Sequence, residues 1–350
     1  MKIAVLYTEE FLYHETPVGW PECPERLEVI MRELEKSGFL RTGSCDLIEP
    51  RRATLDELTM LHDRGYVKWI EEVCESGGGA VGLEAWASPG TFEAAAYAVG
   101  ASIMATGLVI EGRYDACLAL VRPPGHHAGR QHAKGYCIFN NVALAAQHLL
   151  EQHGLRVAIL DVDAHHGDGT QDFFYGTDEV LYVSLHQDPR LFPGRGFEDE
   201  VGSGPGEGYN VNIPLPFFTA DDIYLRALES IAVPVVEQYV PDIILVSLGL
   251  DHHYADPVGR LALSMLGHAR AFYTIVELAQ RACGGRLVAV LEGGYSLTRI
   301  GKMLAADLAV LLGRRYGLPD EPTETPPRTR AKAEAVLRKV RRIQSEYWGL

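Results

Sequence analysis

Four short apolar segments each end in a polar loop of unusual composition, and this pattern constrains the fold more than any other. The segments are 116–121, 157–162, 243–248 and 287–291, and the loops after them read RPPGHHA, DAHHGDG, GLDHHYADP and EGGY. Near-continuous apolar strands are typical of parallel sheets covered on both faces. Because ligands bind beyond the carboxyl ends of such strands, we expect the four loops to meet at one edge as an active site.

The rest of the chain supports one α/β domain with a mainly parallel central sheet flanked by helices on both faces. Amphipathic stretches with helical spacing separate the apolar segments. Further strands are predicted at 3–7 and 180–185, and helices at 24–36, 92–110, 141–152, 220–238, 267–281 and 297–312. The sequence predicts a catalytic domain over 1–315, followed over 316–350 by a Pro/Thr-rich linker, LPDEPTETPPRT, and a C-terminal helix.

Composition disfavours several function classes. The 47 acidic residues outnumber the 32 basic ones, which gives a net charge of −15 that repels nucleic acid. We interpret the basic C-terminal helix as docking on the domain or on a neighbouring subunit, and we expect a homo-oligomer. Six scattered cysteines, no signal peptide and no apolar segment long enough to span a membrane predict a cytoplasmic protein with reduced thiols.

The second loop predicts a metal site. Asp161, Asp163 and His165 alternate in sequence, so a continued strand would point all three to one side. Asp251, at the end of another strand, can supply a further ligand from across the sheet edge. One imidazole and two carboxylates leave a position open for water, as catalytic zinc sites do, and Fe²⁺ or Co²⁺ would accept the same donors. An ordinary Asp-rich turn is the alternative, which the three matching loops disfavour.

The other loops add groups for acid–base chemistry. The adjacent His126 and His127 suit proton transfer near neutral pH, and each needs a carboxylate, for which Asp161 and Asp168 are available. Tyr295, after two glycines, could donate a hydrogen bond to an oxyanion. Together these groups indicate hydrolysis of an amide or ester carbonyl. Neither a phosphate-binding P-loop nor a Gly-x-Ser-x-Gly elbow occurs.

A family resemblance rests on ordered motifs that span roughly residues 20 to 312. They read PECPERLEVI, RPPGHHA, GYCIFNNVALA, LDVDAHHGDGTQ, LFPGRG, GYNVNIPL, GLDHHYADPVGRLALS and EGGYSL. In this order they resemble the histone deacetylase superfamily, which includes acetylpolyamine amidohydrolases and acetoin-utilisation proteins. The resemblance implies the arginase–deacetylase fold.

The resemblance also implies roles for individual residues. Zinc would be held by three ligands: Asp163, His165 and Asp251. His127, backed by Asp168, would be the general base and acid, and His126, backed by Asp161, would act mainly through its charge. Tyr295 would polarise the acyl carbonyl and stabilise the oxyanion. His166, although it stands beside His165, is not expected to be a ligand.

The same resemblance implies five substrate-binding residues, namely Arg26, Gly135, Tyr136, Phe192 and Val258. Tyr136 departs from the commoner Phe and adds a hydroxyl to the tunnel wall. Polyamine-specialised relatives can carry a Glu gatekeeper where this chain has Val258. An apolar residue there removes one argument for polyamine recognition.

Two structural potassium sites are implied as well, formed in part by backbone carbonyls. The first comprises Asp161, Asp163, His165, Ser184 and Leu185. The second comprises Phe174, Thr177, Val180 and Tyr209.

The sequence thus predicts a zinc-dependent deacetylase that hydrolyses acylated lysine or a related acylated amine by metal-activated water. Acetylpolyamines and small N-acylamides remain open as substrates. A manganese ureohydrolase of the same fold uses two metals and needs more aspartates, whereas Asp251 is followed by His252 and His253. A catalytically silent binding module is disfavoured because it need not retain the whole set of ligands, histidines and tyrosine.

Overall fold

Eight parallel strands form the central sheet of the computed structural model, which describes all 350 residues. The strand order is β2-β1-β5-β11-β10-β7-β8-β9, and a separate small sheet has the order β4-β3-β6. The strands are β1 (Ile3–Leu6), β2 (Cys45–Ile48), β3 (Gly79–Leu83), β4 (Ala85–Ala87), β5 (Ala116–Ala119), β6 (Ala133–Lys134), β7 (Val157–Asp161), β8 (Val180–Gln187), β9 (Asn210–Leu215), β10 (Ile243–Leu248) and β11 (Leu287–Leu291).

Helices flank this sheet, and each of the six predicted helices has a counterpart. The helices are α1 (Glu25–Ser37), α2 (Leu55–Leu58), α3 (Arg64–Glu75), α4 (Thr91–Ile110), α5 (Asn141–His153), α6 (Asp168–Phe174), α7 (Asp221–Ala227), α8 (Val233–Tyr239), α9 (Met265–Cys283), α10 (Ile300–Leu311) and α11 (Pro327–Gln344). A π-helical turn, Leu228–Ala232, joins α7 to α8, so the single helix predicted at 220–238 is one continuous helical stretch. The sequence did not predict α2, α3 or α6.

The four strands that lead into the polar loops lie side by side at the centre of the sheet, in the order β5, β11, β10, β7. Every residue of these strands is buried, as expected for strands covered by helices on both faces. Since all four run in the same direction, their carboxyl ends meet at one edge. The predicted α/β fold and the predicted convergence of the loops are therefore confirmed.

Strands β2 and β9 were missed for different reasons. β2 is an edge strand that is only partly buried, so its sequence lacks a continuous apolar run. β9 is fully buried but carries Asn210 and Asn212, which break the apolar pattern. Both asparagine amides donate to the side-chain oxygen of Gln171, at 2.9 and 2.7 Å. Such pairing offsets the cost of burying the two amide nitrogens.

Helix α4 corrects one expectation about membrane-spanning segments. The sequence was expected to contain no apolar segment of sufficient length, but these 20 residues are long and apolar enough to span a membrane. In the folded chain 72% of the helix's apolar window is buried. The core helix of a globular domain has the same composition for the same reason, since it is covered on all sides.

The Pro/Thr-rich segment before α11 is packed along the domain. The Thr323 amide donates to the Asp221 carboxylate at 3.0 Å, and the Thr325 hydroxyl donates to Asp222 at 2.6 Å. Asp320 accepts the amide of Met265 at the start of α9, at 2.6 Å. Three loop contacts of this kind fix the path of the connection, which contains no helix or strand until α11 begins.

Helix α11 docks on the domain beside β9. Docking on the domain was one of the two predicted alternatives, and docking on a neighbouring subunit was the other. Its buried residues are Ala333, Leu337, Val340 and Gln344. After the helix, the indole of Trp348 donates to the Gly208 carbonyl at 2.9 Å and packs edge-on against Tyr209. The C-terminal segment is therefore part of the hydrophobic core.

We expect Leu337→Ala to lower the free energy of unfolding by about 2–3 kcal/mol, at the low end of buried leucine truncations because the helix lies at the margin of the core. The neighbouring exposed Arg338→Ala should change it by less than about 0.5 kcal/mol. Urea unfolding of both variants followed by circular dichroism checks this. Equal midpoints for the two variants would mean that α11 contributes nothing to the core.

Candidate active site

Three acidic and imidazole side chains converge at the carboxyl edge of the sheet. The candidate ligand atoms of Asp163, His165 and Asp251 all lie within 4.8 Å of one another, and all three residues are buried. His165 Nδ1 lies 2.8 Å from Asp251 Oδ2 and 3.3 Å from Asp163 Oδ1. Backbone amides hold the carboxylates from behind, with Gly293 donating to Asp163 and Ala164 to Asp251. The predicted metal ligands are thus brought together.

Asp161 corrects the geometric argument that grouped it with the other two. Strand β7 ends at this residue, so the alternation of a continued strand does not extend to Asp163 and His165. The Asp161 carboxylate instead accepts hydrogen bonds from the Tyr182 hydroxyl at 2.9 Å and faces His126 Nδ1 at 3.1 Å. Its carboxylate therefore supports the histidine pair.

The electrostatics of the cluster fit a bound cation. Burial and the neighbouring Asp163 carboxylate raise the pKa of Asp251 to about 7. Burial by itself would lower the pKa of His165, but hydrogen bonds to Asp163 and Asp251 raise it to about 10. A proton held between His165 and the carboxylates compensates part of their buried negative charge. A divalent metal ion in the same place would compensate more of it. One imidazole and two carboxylates are the nitrogen and oxygen donors that zinc accepts.

The two adjacent histidines have opposite protonation tendencies. His127 Nδ1 contacts Asp168 Oδ1 at 2.8 Å, but burial and the His126 charge lower its pKa to about 4. Burial would lower the pKa of His126 too, yet the charges of Asp163 and Asp161 raise it above its ordinary value. The geometry therefore gives a neutral imidazole at His127 and a cationic one at His126.

Lys134 is a part of this arrangement that sequence reasoning missed. Its ammonium group donates to Asp168 Oδ2 at 2.6 Å and lies 5.0 Å from the centre of the Phe192 ring. Although burial raises it, the hydrogen bonds and charges of His127 and Lys134 hold the pKa of Asp168 below its usual range. The two carboxylate oxygens of Asp168 thus have different partners, His127 on one and Lys134 on the other.

Tyr295 stands on the loop after β11, and two neighbouring groups fix it there. Its backbone amide donates to Asp256 Oδ2 at 2.7 Å, while Asp256 Oδ1 accepts the amide of Val258 at 2.9 Å. The Arg26 guanidinium lies 4.9 Å from the Tyr295 ring centre. Burial raises the pKa of the Tyr295 phenol, which stays protonated and can donate a hydrogen bond.

Arg26 lies beside the Tyr295 ring and is not among the residues that line the cavity leading to the surface, so its role in an inner pocket stays a prediction. It is fully buried and donates to the carbonyls of Gly294 and Glu292 and to the Glu22 carboxylate. Arg122 binds the same carboxylate. Arg26 therefore fastens the loop that carries Tyr295 to the first helix, and Arg122 shares the Glu22 carboxylate with it.

Glu292 holds the loop that carries His126 and His127 in place. Its Oε2 accepts the backbone amides of Gly125 at 2.6 Å and His126 at 3.2 Å. Burial raises its pKa to about 7. Both Glu292 and Asp256 stand inside the motifs EGGY and GLDHHYADP, so the motifs contained the signal, but only the fold shows which backbone amides they hold.

A cavity of about 210 Å³ leads from the surface to this cluster. Four of the five predicted substrate-binding residues line it, namely Gly135, Tyr136, Phe192 and Val258. The others are His127, His165 and Tyr295 and the unpredicted Glu84, Gln187, Leu191 and Arg260. The cavity therefore joins the candidate metal ligands, base and hydroxyl donor to solvent through a mostly aromatic and apolar passage.

Position 135 in the wall of the passage requires glycine. It has φ +54°, and a Cβ there would lie 2.6 Å from His127 Cδ2 and 2.9 Å from Phe192 Cζ. The next residue, Tyr136, has φ +67°, which is uncommon for an aromatic side chain. The small sheet holds this bend, because the amides of Gly135 and Tyr136 donate to the carbonyls of Leu83 and Glu84.

The two potassium sites stay predictions, and the structure shows neighbours among some of their residues. Asp161 and Ser184 are partners across β7 and β8. At the second site, the Phe174 carbonyl accepts the amide of Thr177 and the Tyr209 carbonyl accepts that of Tyr182.

His166, which was not expected to be a ligand, packs its ring on His186 and lies outside the ligand cluster.

Comparisons with known proteins agree with this geometry. The histone deacetylase domain model matches residues 20–311. A probable deacetylase of Archaeoglobus fulgidus is 38% identical over 357 residues, covering 99% of both chains. A histone deacetylase-like amidohydrolase of Pseudomonas aeruginosa is 37% identical over 279 residues, 79% of this chain and 73% of that protein. The solved HDA15 HD domain has a TM-score of 0.89 at 33% identity, covering 99% of this chain and 95% of that one. The chain belongs to the histone deacetylase family of deacetylases and amidohydrolases.

Proposed function

We propose that this protein is a zinc-dependent deacetylase that hydrolyses the N-acyl amide of acylated lysine. One observation carries the proposal: the cavity ends on His165, His127 and Tyr295 together, which are a candidate metal ligand, a candidate base and a hydroxyl donor. Acyl transfer to water needs these three functions within reach of one carbonyl carbon.

Asp163, His165 and Asp251 would hold the zinc. A zinc ion bound there supplies a Lewis acid that polarises the acyl carbonyl and makes water acidic enough to attack near neutral pH. The remaining chemistry belongs to the protein's own side chains.

His127 moves the proton in this proposal. Its Nδ1 is occupied by Asp168, so Nε2 is the nitrogen free to accept a proton from water and to return it to the leaving amine. The lowered pKa keeps the ring neutral and able to act as a base. His126, held by Asp161, contributes positive charge beside the reacting groups. Charge development on the attacked carbonyl is thereby balanced.

Tyr295 donates its hydroxyl to the acyl oxygen as negative charge develops there. The amide contact with Asp256 and the ring contact with Arg26 fix the tyrosine before substrate binds. A donor that is already in position costs no reorganisation during the reaction.

The passage favours a slim, extended acylamine. Tyr136 and Phe192 provide ring walls, and Val258 provides an apolar one, so the alkyl chain of an acylated lysine fits while water is excluded. An acetylpolyamine has a similar alkyl chain and remains the alternative substrate. Potassium at the two predicted carbonyl sites would stabilise the loops and take no part in proton transfer.

A panel that crosses three amines (peptide lysine, polyamine, small amide) with acyl length tests the proposal. We expect the zinc-loaded protein to contain one zinc per chain and to release acetate from acetyl-lysine peptides, and chelation to abolish this release. Asp251→Asn should lower zinc stoichiometry without loss of circular dichroism signal. Two metal ions per chain with urea as product would instead establish a ureohydrolase, and no hydrolysis across the panel would establish a silent module.

We expect Tyr295→Phe to lower kcat about 100- to 1000-fold, because the lost hydroxyl acts mainly when the oxyanion forms. KM should change by less than about threefold, since the ring that lines the cavity remains. Steady-state kinetics on the best panel substrate measure both constants. Tyr273→Phe, on the exposed face of α9, is the matched control. An unchanged kcat would exclude the hydroxyl from the mechanism.

Lys134→Met removes a positive charge that faces Asp168, so the pKa of His127 should rise. Protonated His127 cannot act as a base, and the acid limb of the kcat/KM profile should therefore move to higher pH, by about 0.5–1 unit. Lys134→Arg keeps the charge and should retain the wild-type limb. If the limb stays in place in the methionine variant, Lys134 does not tune the base.

A further inference from the structure

A second and larger groove adjoins the mouth of the active-site cavity. It has a volume of about 660 Å³ and lies between α11 and the loops that follow β8 and β9. Leu191 lines both spaces, so the groove begins where the cavity reaches the surface. Its floor is largely apolar and comprises Phe197, Pro214, Pro216, Phe217 and Val336.

Two large apolar side chains at the groove are left in solvent. Leu191 is 79% exposed and Phe218 is 60% exposed. Phe218 also has φ +67°, a left-handed conformation that is disfavoured for an aromatic residue. Strained residues of this kind persist where the surroundings hold them for a purpose, and exposed apolar patches mark binding surfaces.

The backbone places Phe218 relative to the cavity. Its amide donates to the Arg260 carbonyl at 2.8 Å, and the Arg260 amide donates to Gln187 at 2.7 Å. Arg260 and Gln187 both line the cavity. The groove wall and the cavity mouth are therefore parts of one hydrogen-bonded structure.

The charges at the groove favour an anionic group on its occupant. Arg190 is neutralised by Asp188, and Glu198 is neutralised by Lys339. Lys332 lines the groove from α11 and has no carboxylate partner. A polyamine is a chain of cations, and both carboxylates that line the groove, Asp188 and Glu198, are already paired with basic side chains.

We propose that this groove binds the peptide that flanks an acylated lysine, and so selects protein or peptide substrates over polyamines and small amides. One apolar side chain of the peptide packs between Leu191 and Phe218, and an Asp or Glu faces Lys332. The inference rests on the proposed deacetylase function, because the acylated lysine occupies the adjoining cavity. It deepens that function by naming the substrate class.

Acetyl-lysine hexapeptides that place Leu or Ser, and Glu or Lys, at each flanking position test the proposal, with N-acetyl-lysine methylamide and acetylspermidine as short comparators. At one flanking position, Leu should raise kcat/KM about tenfold over Ser. At another, Glu should exceed Lys about threefold. The methylamide and acetylspermidine should be poorer substrates than the best hexapeptide.

Variants assign these preferences to the groove. Phe218→Gly should lower the ratio of kcat/KM for the Leu peptide to that for the methylamide about tenfold without lowering Tm, because glycine accepts the same φ. Lys332→Glu should reverse the preference between the Glu and Lys peptides. Arg338→Glu makes the same charge change on α11 outside the groove and should leave the preference unchanged.

Two results would contradict peptide binding in the groove and still be consistent with deacetylase activity. One is equal kcat/KM for the hexapeptides and the methylamide, and the other is acetylspermidine as the best substrate. Anisotropy of a labelled acetyl-lysine hexapeptide measures binding independently of turnover. If no substrate is hydrolysed but Phe218→Gly weakens peptide binding, the proposed deacetylase function is wrong and the groove is still a peptide-binding site. If Phe218→Gly leaves peptide binding unchanged, the peptide-binding role of the groove is wrong as well.

Discussion

The burial of two carboxylates, Asp163 and Asp251, is the constraint on which the rest of the site depends. Neither reaches solvent, and like charges this close cannot both remain ionised without a cation between them. His165 supplies a shared imidazole, and two backbone amides supply fixed dipoles. In the proposed function a divalent ion would complete this balance, and the buried charge that is unfavourable for folding alone would then supply the affinity for that ion.

Further buried acids hold the loops that surround this centre. Glu22 receives two guanidinium groups, Glu292 receives the amides of the histidine loop, and Asp256 receives those of the tyrosine loop. Each acid joins segments that are far apart in sequence, for example Glu292 and Gly125. Because a buried carboxylate without partners is costly, each of these contacts fixes a loop in one position. The rigidity of the site comes from these internal acids as much as from the sheet.

The sequence predicted the centre of the site well because the strands there are mostly apolar and the candidate ligands, the histidine pair and Tyr295 each lie in a short motif. Asp163, His165 and Asp251 meet as the motif spacing indicated. Where a residue acts through a distant backbone group, the sequence could not locate it. The motif around Arg26, for example, did not show that its guanidinium donates to carbonyls on the loop after β11.

The sequence also did not predict elements whose polar residues find their partners far away in the chain. The amide nitrogens of the β9 asparagines donate to Gln171 on another element. The strands of the small sheet are short, and β3 contains two glycines, so none of them shows a clear apolar alternation. Leu191 and Phe218 form a groove only because α11 packs beside them. No local pattern distinguishes such residues from an ordinary exposed leucine and phenylalanine.

The histidine pair shows how neighbouring residues of one type acquire different chemistry. His126 and His127 are adjacent, equally buried and each bonded to one aspartate. His126 also faces the candidate ligand Asp163 across 3.8 Å, which favours its cation, whereas the Asp168 behind His127 also binds Lys134. Once one ring is positive, its charge disfavours a second proton on the other. The two imidazoles therefore differ in charge, one cationic and one neutral, and the fold sets this difference through the partners it brings to each ring.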